Sequence, residues 1–431
     1  MGKKVLLVGG GGREHALAWK LCQSPEISEL YVAPGNAGTE GLTKVRNVPI
    51  KATNILALAA FALKEGIEFT IVGQDDPLAL GIVDLFQSHK LRILGPSKMA
   101  TRIESSKVYS KELMRSVRVP TAPFTVLDNY PNAVVLAQEH FGNKNLRPIV
   151  LKASGLALGK GAYVCRSYKE VLHALDELMI QRIHGSAGDK VVAEEFVDGQ
   201  EISVHALCDG TSYELFPSAQ DHKPIYDGDE GPNTGGMGTI APVPWFNHHD
   251  FVRQCIIEPI LAGMQRDGHP FVGLLYPGLK MREGWPVVLE FNARFGDPEA
   301  QVYMRLWESD LLKTLWACVD GRLRETKIKW NPGYAACITM ASARYPSPDY
   351  KKGMPITGID KAQSLPGVVV FHAGTQMVNG QLVTSGGRVL YVTAVGATLK
   401  EAIYRAYAGV KCISFEGMQY RKDIGAKSLN K

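Results

Sequence analysis

Over residues 3 to 95, short apolar runs alternate with segments of helical spacing. "KVLLVG", "ELYVAPG", "EFTIVG" and "LRILG" read as short buried strands. "REHALAWKLCQS", "NILALAAFALKEG" and "PLALGIVDLFQSH" read as helices, the last starting at its proline. This alternation narrows the fold to a parallel sheet joined by right-handed crossovers. Ligands of such sheets bind beyond the carboxyl ends of the strands. There the chain places "GGGGREH", "APGNAGT" and "GQDDPL", three loops on one edge that make a candidate substrate rim.

The rest of the chain has a different grammar. A helical segment, "SKMATRIESSKVYSKELMRSV", is followed by a linker with two prolines, "VRVPTAPF". From Pro148 come strand "PIVLKA", loop "SGLALGKG", strand "AYVCR", helix "YKEVLHALDELM" and strand "KVVAEEFVDG", a small α+β unit. Residues 201 to 298 add strands and one long loop, "AQDHKPIYDGDEGPNTGGMG". Beyond Trp330 strands return, and "TLKEAIYRAYAGV" is a closing helix.

Composition removes several classes. With 431 residues, roughly three domains are expected, and 45% hydrophobic residues can build their cores. The net charge of +5 is spread without long runs of one sign, and no aromatic residues interleave with basic clusters, so no nucleic-acid partner is expected. Seven scattered cysteines without a C-x-x-C pair argue for reduced thiols and a cytoplasmic setting. No secretory leader and no apolar run of membrane-spanning length occurs, so no membrane partner is expected.

Neither glycine loop fits a standard cofactor fingerprint. Counting from Gly9 or Gly10, the last glycine of G-x-G-x-x-G is replaced by Glu14 or His15, and the second strand ends without an acid. "GLALGKG" puts three residues rather than four between Gly155 and Gly159, and Gly161 where a metal-binding hydroxyl should stand. It still joins glycine N–H groups to Lys160 and the nearby Lys152, which suits a polyphosphate or, alternatively, a plain hairpin with solvated lysines.

"VVLEFNARFGDPE" carries more. Residues i and i+2 share a strand face. Glu290 and Asn292 therefore project together with Val288, Arg294 extends the row, and Leu289, Phe291 and Ala293 face the other way. Magnesium takes hard oxygens, often one or two carboxylates plus substrate phosphates. Glu290 and Asn292 fit that role, and the fork of Arg294 suits a carboxylate or acyl phosphate. In "AEEFVDGQE", Glu194 and Glu201 flank a short run whose backbone could pair with a base edge, with a carboxylate following for a ribose.

Two lysines on separate elements, a hinge strand, a glycine loop in a small lid and an E-x-N strand, in this order, resemble the ATP-grasp superfamily. The match is closer to the phosphoribosylamine–glycine ligase family, through "GGREHALAW", "APGNAGT", "EEFVDG", "QDHK", "GPNTGGMG", "EFNARFGDPE", "FHAGT" and "GGRVL". The resemblance covers essentially the whole chain. It implies an α/β protein: a Rossmann-like parallel-sheet domain that binds substrate over residues 1–103, an ATP-grasp domain over 104–327 with a small α+β lid at about 123–192, and a mainly β domain over 328–431. The implied reaction joins glycine to 5-phosphoribosylamine through glycyl phosphate, yielding glycinamide ribonucleotide, ADP and phosphate in purine synthesis. The alternative is another ATP-grasp carboxylate–amine ligase of purine metabolism.

Roles follow position by position from the resemblance. Lys107 and Lys152 would face the ATP phosphates, and Gly155, Gly159, Lys160 and Gly161 would form the lid loop. Glu194 would begin the adenine hinge, Phe196 and Val197 would pair with the base, and Glu201 would hold the ribose. Glu290 and Asn292 would bind Mg2+ or Mn2+, with Arg294, Asp221 and Lys152 at the chemistry. Substrate would lie against Gly11, Gly12, Arg13, Gly35, Asn36, Ala37, Gly38, Thr39, Asp75 and Pro77, and against Asn233, Thr234, Gly235, Gly236, Gly387 and Arg388. The opening glycines, with Arg13, would receive the 5-phosphate of phosphoribosylamine. A monomer or weak homodimer is expected. Three positions depart from the family: Ser154 and Asp75 stand where Asp and Glu are usual, and Pro224 where Arg is usual. "FVGLLYPGLKM" lacks the acid many ATP-grasp enzymes carry, which leaves the number of metal ions open.

Overall fold

The computed structural model describes residues 2–142, 147–156 and 161–429. Its first sheet is parallel, in the order Val45–Asn47, Ile27–Pro34, Lys3–Gly9, Phe69–Val72, Ile93–Leu94. Val5, Leu6, Leu7 and Val8 of the central strand are fully buried, as expected of a strand covered on both faces. Chain order reverses between Lys3–Gly9 and Phe69–Val72, so the crevice falls between their following loops. Two details differ from the sequence reading. The edge strand Val45–Asn47 has only three residues, none fully buried, and shows no period to read. "PLALGIVDLFQSH" forms two helices, Asp75–Leu80 and Ile82–Ser88, with Gly81 between them at φ +92°, and the first begins two residues before its proline.

A four-stranded antiparallel sheet, ordered Phe124–Leu127, Val191–Glu195, Ile149–Ala153, Ala162–Cys165, forms the lid body with helices Tyr130–Gly142 and Tyr168–Leu175. Its own core includes Leu127, Ala133, Leu151, Val171 and Leu175. The central sheet is built around Val272–Arg282, which pairs with Glu201–Ser203, Ala206–Asp209 and Trp285–Asn292. Beside it the expected helical segment is broken at Ser106, which ends Arg102–Ser105 and caps Lys107–Ser116 through its hydroxyl.

The last sheet contains Tyr334–Ala341, Arg388–Gly396 and Val368–His372, backed by helix Leu399–Val410. It also takes Gln220–Asp221 and Gly238–Ala241, which lie more than ninety residues earlier than Tyr334. The sheet therefore crosses the expected limit at 327/328, and the long loop between those two early strands carries a ribbon, Pro224–Tyr226 with Glu230–Asn233. Helix Glu299–Leu306 lies in the same apolar cluster as helix Gly12–Leu21, joining the first domain to the rest through Leu17, Leu21, Ala300 and Tyr303.

The register of the E-x-N strand corrects one expectation. Gly278 lies opposite Glu290 but Leu279 lies opposite Val288, so Leu289 is an extra residue in the ladder. Such a bulge reverses the alternation on one side of it. Val288 consequently joins Phe291 and Ala293 in the core, while Leu289 lines the cavity with Glu290.

Candidate active site

Helix Lys107–Ser116 turns Lys107 and Lys111 to one side, because residues four apart share a helix face. Lys107 Nζ lies 3.1 Å from Glu290 Oε2. Attraction to Lys107 holds the Glu290 carboxyl well below its ordinary range, so it is ionised. One turn on, Lys111 pairs with Glu194, whose other oxygen is met by Lys152. Burial alone would raise the Glu194 carboxyl; Lys152 and then Lys111 bring it below its ordinary value.

Glu201, Asp221, Lys223, Tyr276, Leu289 and Glu290 line one cavity. Lys223 stands 3.4 Å from Glu201, which raises its pKa, with Glu290 and Asp221 adding to the effect. Burial, then the neighbouring Glu299, raises the Asp221 carboxyl well above its usual value. Glu299 is itself buried and accepts from Tyr276 (2.6 Å) and Ser203 (2.8 Å).

Arg294 continues the strand face. Its Nη2 donates to Asn292 Oδ1 at 2.9 Å and pairs with Glu104 at 3.1 Å. Burial works against its charge, but Glu104 and then Asp75 raise its pKa, so Asp75 acts electrostatically on this guanidinium across the domain junction. Arg294 Nε is buried without a hydrogen-bond partner. An unpaired buried donor is costly unless a ligand supplies the acceptor.

The substrate rim is more tightly built than its sequence implies. Gly11 N–H donates to Glu14 Oε2 at 2.7 Å, and Arg13 donates to Glu14 Oε1 and to the Phe295 carbonyl. Glu14 thus fills the glycine turn, and a β-carbon on Gly9 would meet its carboxyl. Gly12 packs against Tyr391. Asn36 caps the short helix Ala37–Glu40 by accepting from Gly38 and Thr39, and its amide donates to the carbonyls of Gly10 and His372. Gly35, at φ +72°, turns the chain beside Asn47, while Pro77 is buried. Arg388 spans Asp297 (2.9 Å) and the Gly235 carbonyl, Thr234 and Gly236 form a tight turn on Lys223, and Gly387 lies against Tyr345. Asn233 is exposed at the end of the ribbon.

On the nucleotide side, Phe196 N–H donates to the Pro148 carbonyl at 3.3 Å, Val197 is buried, and Lys280 lies over the Phe196 ring. Gly155 abuts Ala187, and Gly161 accepts from Ala153 N–H. Gly159 and Lys160 lie outside the described residues. The structure thus brings Lys107, Lys152, Glu194, Glu201, Asp221, Glu290, Asn292 and Arg294 around one centre. Sequence reasoning missed Glu104, Lys111, Lys223, Tyr276, Lys280 and Glu299. Lys111 had a signal, its spacing from Lys107. Lys223 and Glu299 stand inside quoted motifs, and Tyr276 had none.

A divalent cation fits the donor set. Glu290 offers an ionised carboxylate and Asn292 an amide oxygen from the next position on the same face. Gly278 across the ladder brings no further acid. Among the described residues no three His, Cys, Asp or Glu side chains cluster to hold a metal. One carboxylate with one amide oxygen suits a cation completed by phosphate oxygens and water.

A parallel-sheet domain, an antiparallel lid and a central sheet whose Glu-x-Asn strand faces lysines define an ATP-grasp ligase. Three family models match, those of the phosphoribosylglycinamide synthetase N domain (residues 3–104), ATP-grasp (A) domain (105–300) and C domain (335–427). The phosphoribosylamine–glycine ligase of Chlorobaculum tepidum is 47% identical over 429 residues, covering 99% of this chain and 100% of that protein. The trifunctional purine biosynthetic protein adenosine-3 of Gallus gallus is 43% identical, and this chain matches over 100% of its length and 42% of that protein's. Among solved structures, phosphoribosylamine–glycine ligase from Thermotoga maritima superposes with a TM-score of 0.79 at 32% identity, covering 98% of this chain and 100% of that one. The biotin carboxylase domain of Hydrogenobacter thermophilus 2-oxoglutarate carboxylase, solved with magnesium ADP, shares the fold at 17% identity and a TM-score of 0.74. The chain belongs to the phosphoribosylglycinamide synthetase family. No helix among the described residues is long and apolar enough to cross a membrane.

Proposed function

We propose that this carbon–nitrogen ligase joins glycine to 5-phosphoribosylamine in purine synthesis, using ATP to form glycyl phosphate. A carboxylate is a poor electrophile at neutral pH. Transfer of the γ-phosphoryl group of ATP to the glycine carboxylate supplies a leaving group. The amine then attacks the acyl carbon, and the C–O bond to phosphate breaks as the C–N bond forms.

The chain's part is positioning and charge. Lys107 and Lys152 serve the polyphosphate, Glu201 the ribose, and the Phe196 carbonyl with the Val197 peptide the adenine edge. Glu290 and Asn292 hold Mg2+ or Mn2+, which when bound neutralises charge on the transferring phosphoryl group. Arg294, held in place by Glu104 and Asn292, orients the glycine carboxylate through its free Nε. Asp221 in its ionised form accepts the proton that the attacking amine loses. The ribosyl phosphate enters along the rim of the first domain near Asp75. Gly11 N–H can join in its binding only if Glu14 gives up that bond.

The observation that carries this reading is the Arg294 guanidinium, whose buried Nε has no hydrogen-bond partner while its Nη2 donates to Asn292 Oδ1, on the strand that carries the ionised Glu290. The test is ADP release by the purified chain with ATP, magnesium, glycine and freshly generated phosphoribosylamine. Release is expected to require both glycine and the amine; release independent of either would refute the assignment.

A further inference from the structure

Glu194 is shared. One of its oxygens meets Lys111 and the other Lys152, and the side chains of Lys111 and Glu194 are each only 2% exposed. The three come from different parts of the fold. Glu194 lies on Val191–Glu195 and Lys152 on Ile149–Ala153, neighbouring strands of the lid sheet, whereas Lys111 lies on the helix beside the central sheet.

The two lysines are held differently. Lys111 Nζ also donates to Thr121 Oγ1 at 2.7 Å, and that hydroxyl donates to the Val288 carbonyl at 2.7 Å. Lys111 is thereby fixed to the central sheet. Apart from Glu194, Lys152 has a long contact of 3.4 Å to the Leu289 carbonyl. Leu289 lines the Glu290 cavity, so the ammonium lies against a residue of that cavity's wall.

A buried carboxylate stripped of its cation is strongly unfavourable. For Lys152 to serve the phosphates it has to leave Glu194, and Glu194 must keep a counter-charge when it does. We propose that Lys111 is a positioning residue that remains on Glu194 and so releases Lys152 for the ATP polyphosphate. This rests on the reading of Lys152 as a phosphate-facing lysine. Without Lys111, Lys152 becomes the counter-charge of Glu194 and stays with it.

The test is binding of ADP with magnesium to the full chain, measured by calorimetry, for wild type, Lys111→Met, Lys111→Arg and the double variant Lys111→Met/Glu194→Gln. Lys111→Met is expected to raise the Kd about tenfold or more, because the remaining pair locks together. In the assay its KM for ATP rises more than its kcat falls. The double variant removes the carboxylate that traps Lys152, and it recovers most of the lost affinity; Lys111→Arg recovers it too. If Lys111 only docked the lid, the double variant would bind no better than the single one. Wild-type affinity in Lys111→Met, or no recovery in the double variant, overturns the proposal. Should Lys111→Met not fold, the double variant decides by itself: a Kd within about threefold of wild type supports the proposal, and one about tenfold higher overturns it. Failure of the underlying reading looks different: Lys152→Met would then bind ADP with wild-type affinity, and the proposal would fall with it.

Discussion

Gly12 lies against the ring of Tyr391, so close that a β-carbon at Gly12 would overlap the ring. The tyrosine is fully buried on the strand Arg388–Gly396 and cannot swing into solvent. Together with the bond that His372 N–H donates to His15 Nδ1 at 2.8 Å, this contact joins the opening helix of the chain to its last sheet. Gly12→Ala is expected to cost about 1–3 kcal/mol by overpacking, read as a lower urea midpoint. In a Tyr391→Leu background the same change should cost clearly less. Equal costs in both backgrounds would mean that the ring is not the obstacle.

Glu290→Ala should lower kcat/KM by about a hundredfold or more, by analogy with the loss of one preorganised charge at a reacting centre. The circular dichroism spectrum should not change, because Glu290 faces the cavity and the core on that strand is supplied by Val288 and Phe291. More metal should be needed for half-maximal ADP release. Activity within threefold of wild type would remove Glu290 from the metal site.

The position of Asp221 predicts a stability effect with a definite sign. Its carboxyl is raised by burial and by Glu299, so the folded chain holds that proton to higher pH than the unfolded chain does. Stability then falls as pH rises from about 4, where an unfolded Asp begins to ionise. Asp221→Asn should therefore melt higher than wild type at pH 8, with the difference shrinking toward pH 4. The variant should lose activity, and wild-type kcat/KM should decline on the acid side. A difference in melting temperature that does not vary with pH would contradict this reading.

Ser154 offers a gain. Its carbonyl accepts from Lys107 N–H, and its hydroxyl accepts from Val108 N–H at 3.1 Å, so it caps the helix Lys107–Ser116 from the lid. Ser154→Asp, the residue usual in the family, adds a negative charge at a helix N-terminus and should stabilise by about 0.3–1 kcal/mol. The expected readout is a slightly higher melting temperature that falls back as salt is added.

The architecture was legible where the pattern was periodic and buried. The alternation over residues 3 to 95 led directly to the parallel sheet. The side-by-side placement of Glu290 and Asn292 followed from strand geometry, but the facing of Val288 and Leu289 did not, because a bulge leaves no mark in hydrophobic alternation. Tyr276 and Glu104 reach the site through pairings between distant segments, which one sequence cannot reveal. Glycines carry a double meaning. Gly9 and Gly12 make room for the side chains of Glu14 and Tyr391. Close approach and ligand binding demand the same residue type.

Asp221 rides on a strand of the last sheet, whereas Glu290 and Asn292 ride on the central one. The carboxylate proposed as proton acceptor and the oxygens proposed as metal ligands therefore sit on two different sheets. The two sheets are stitched together beside Asp221, where Ser203 and Ala219 exchange backbone hydrogen bonds. The spacing of the reacting groups is thus held by the seam between the sheets as well as by the ladders within them.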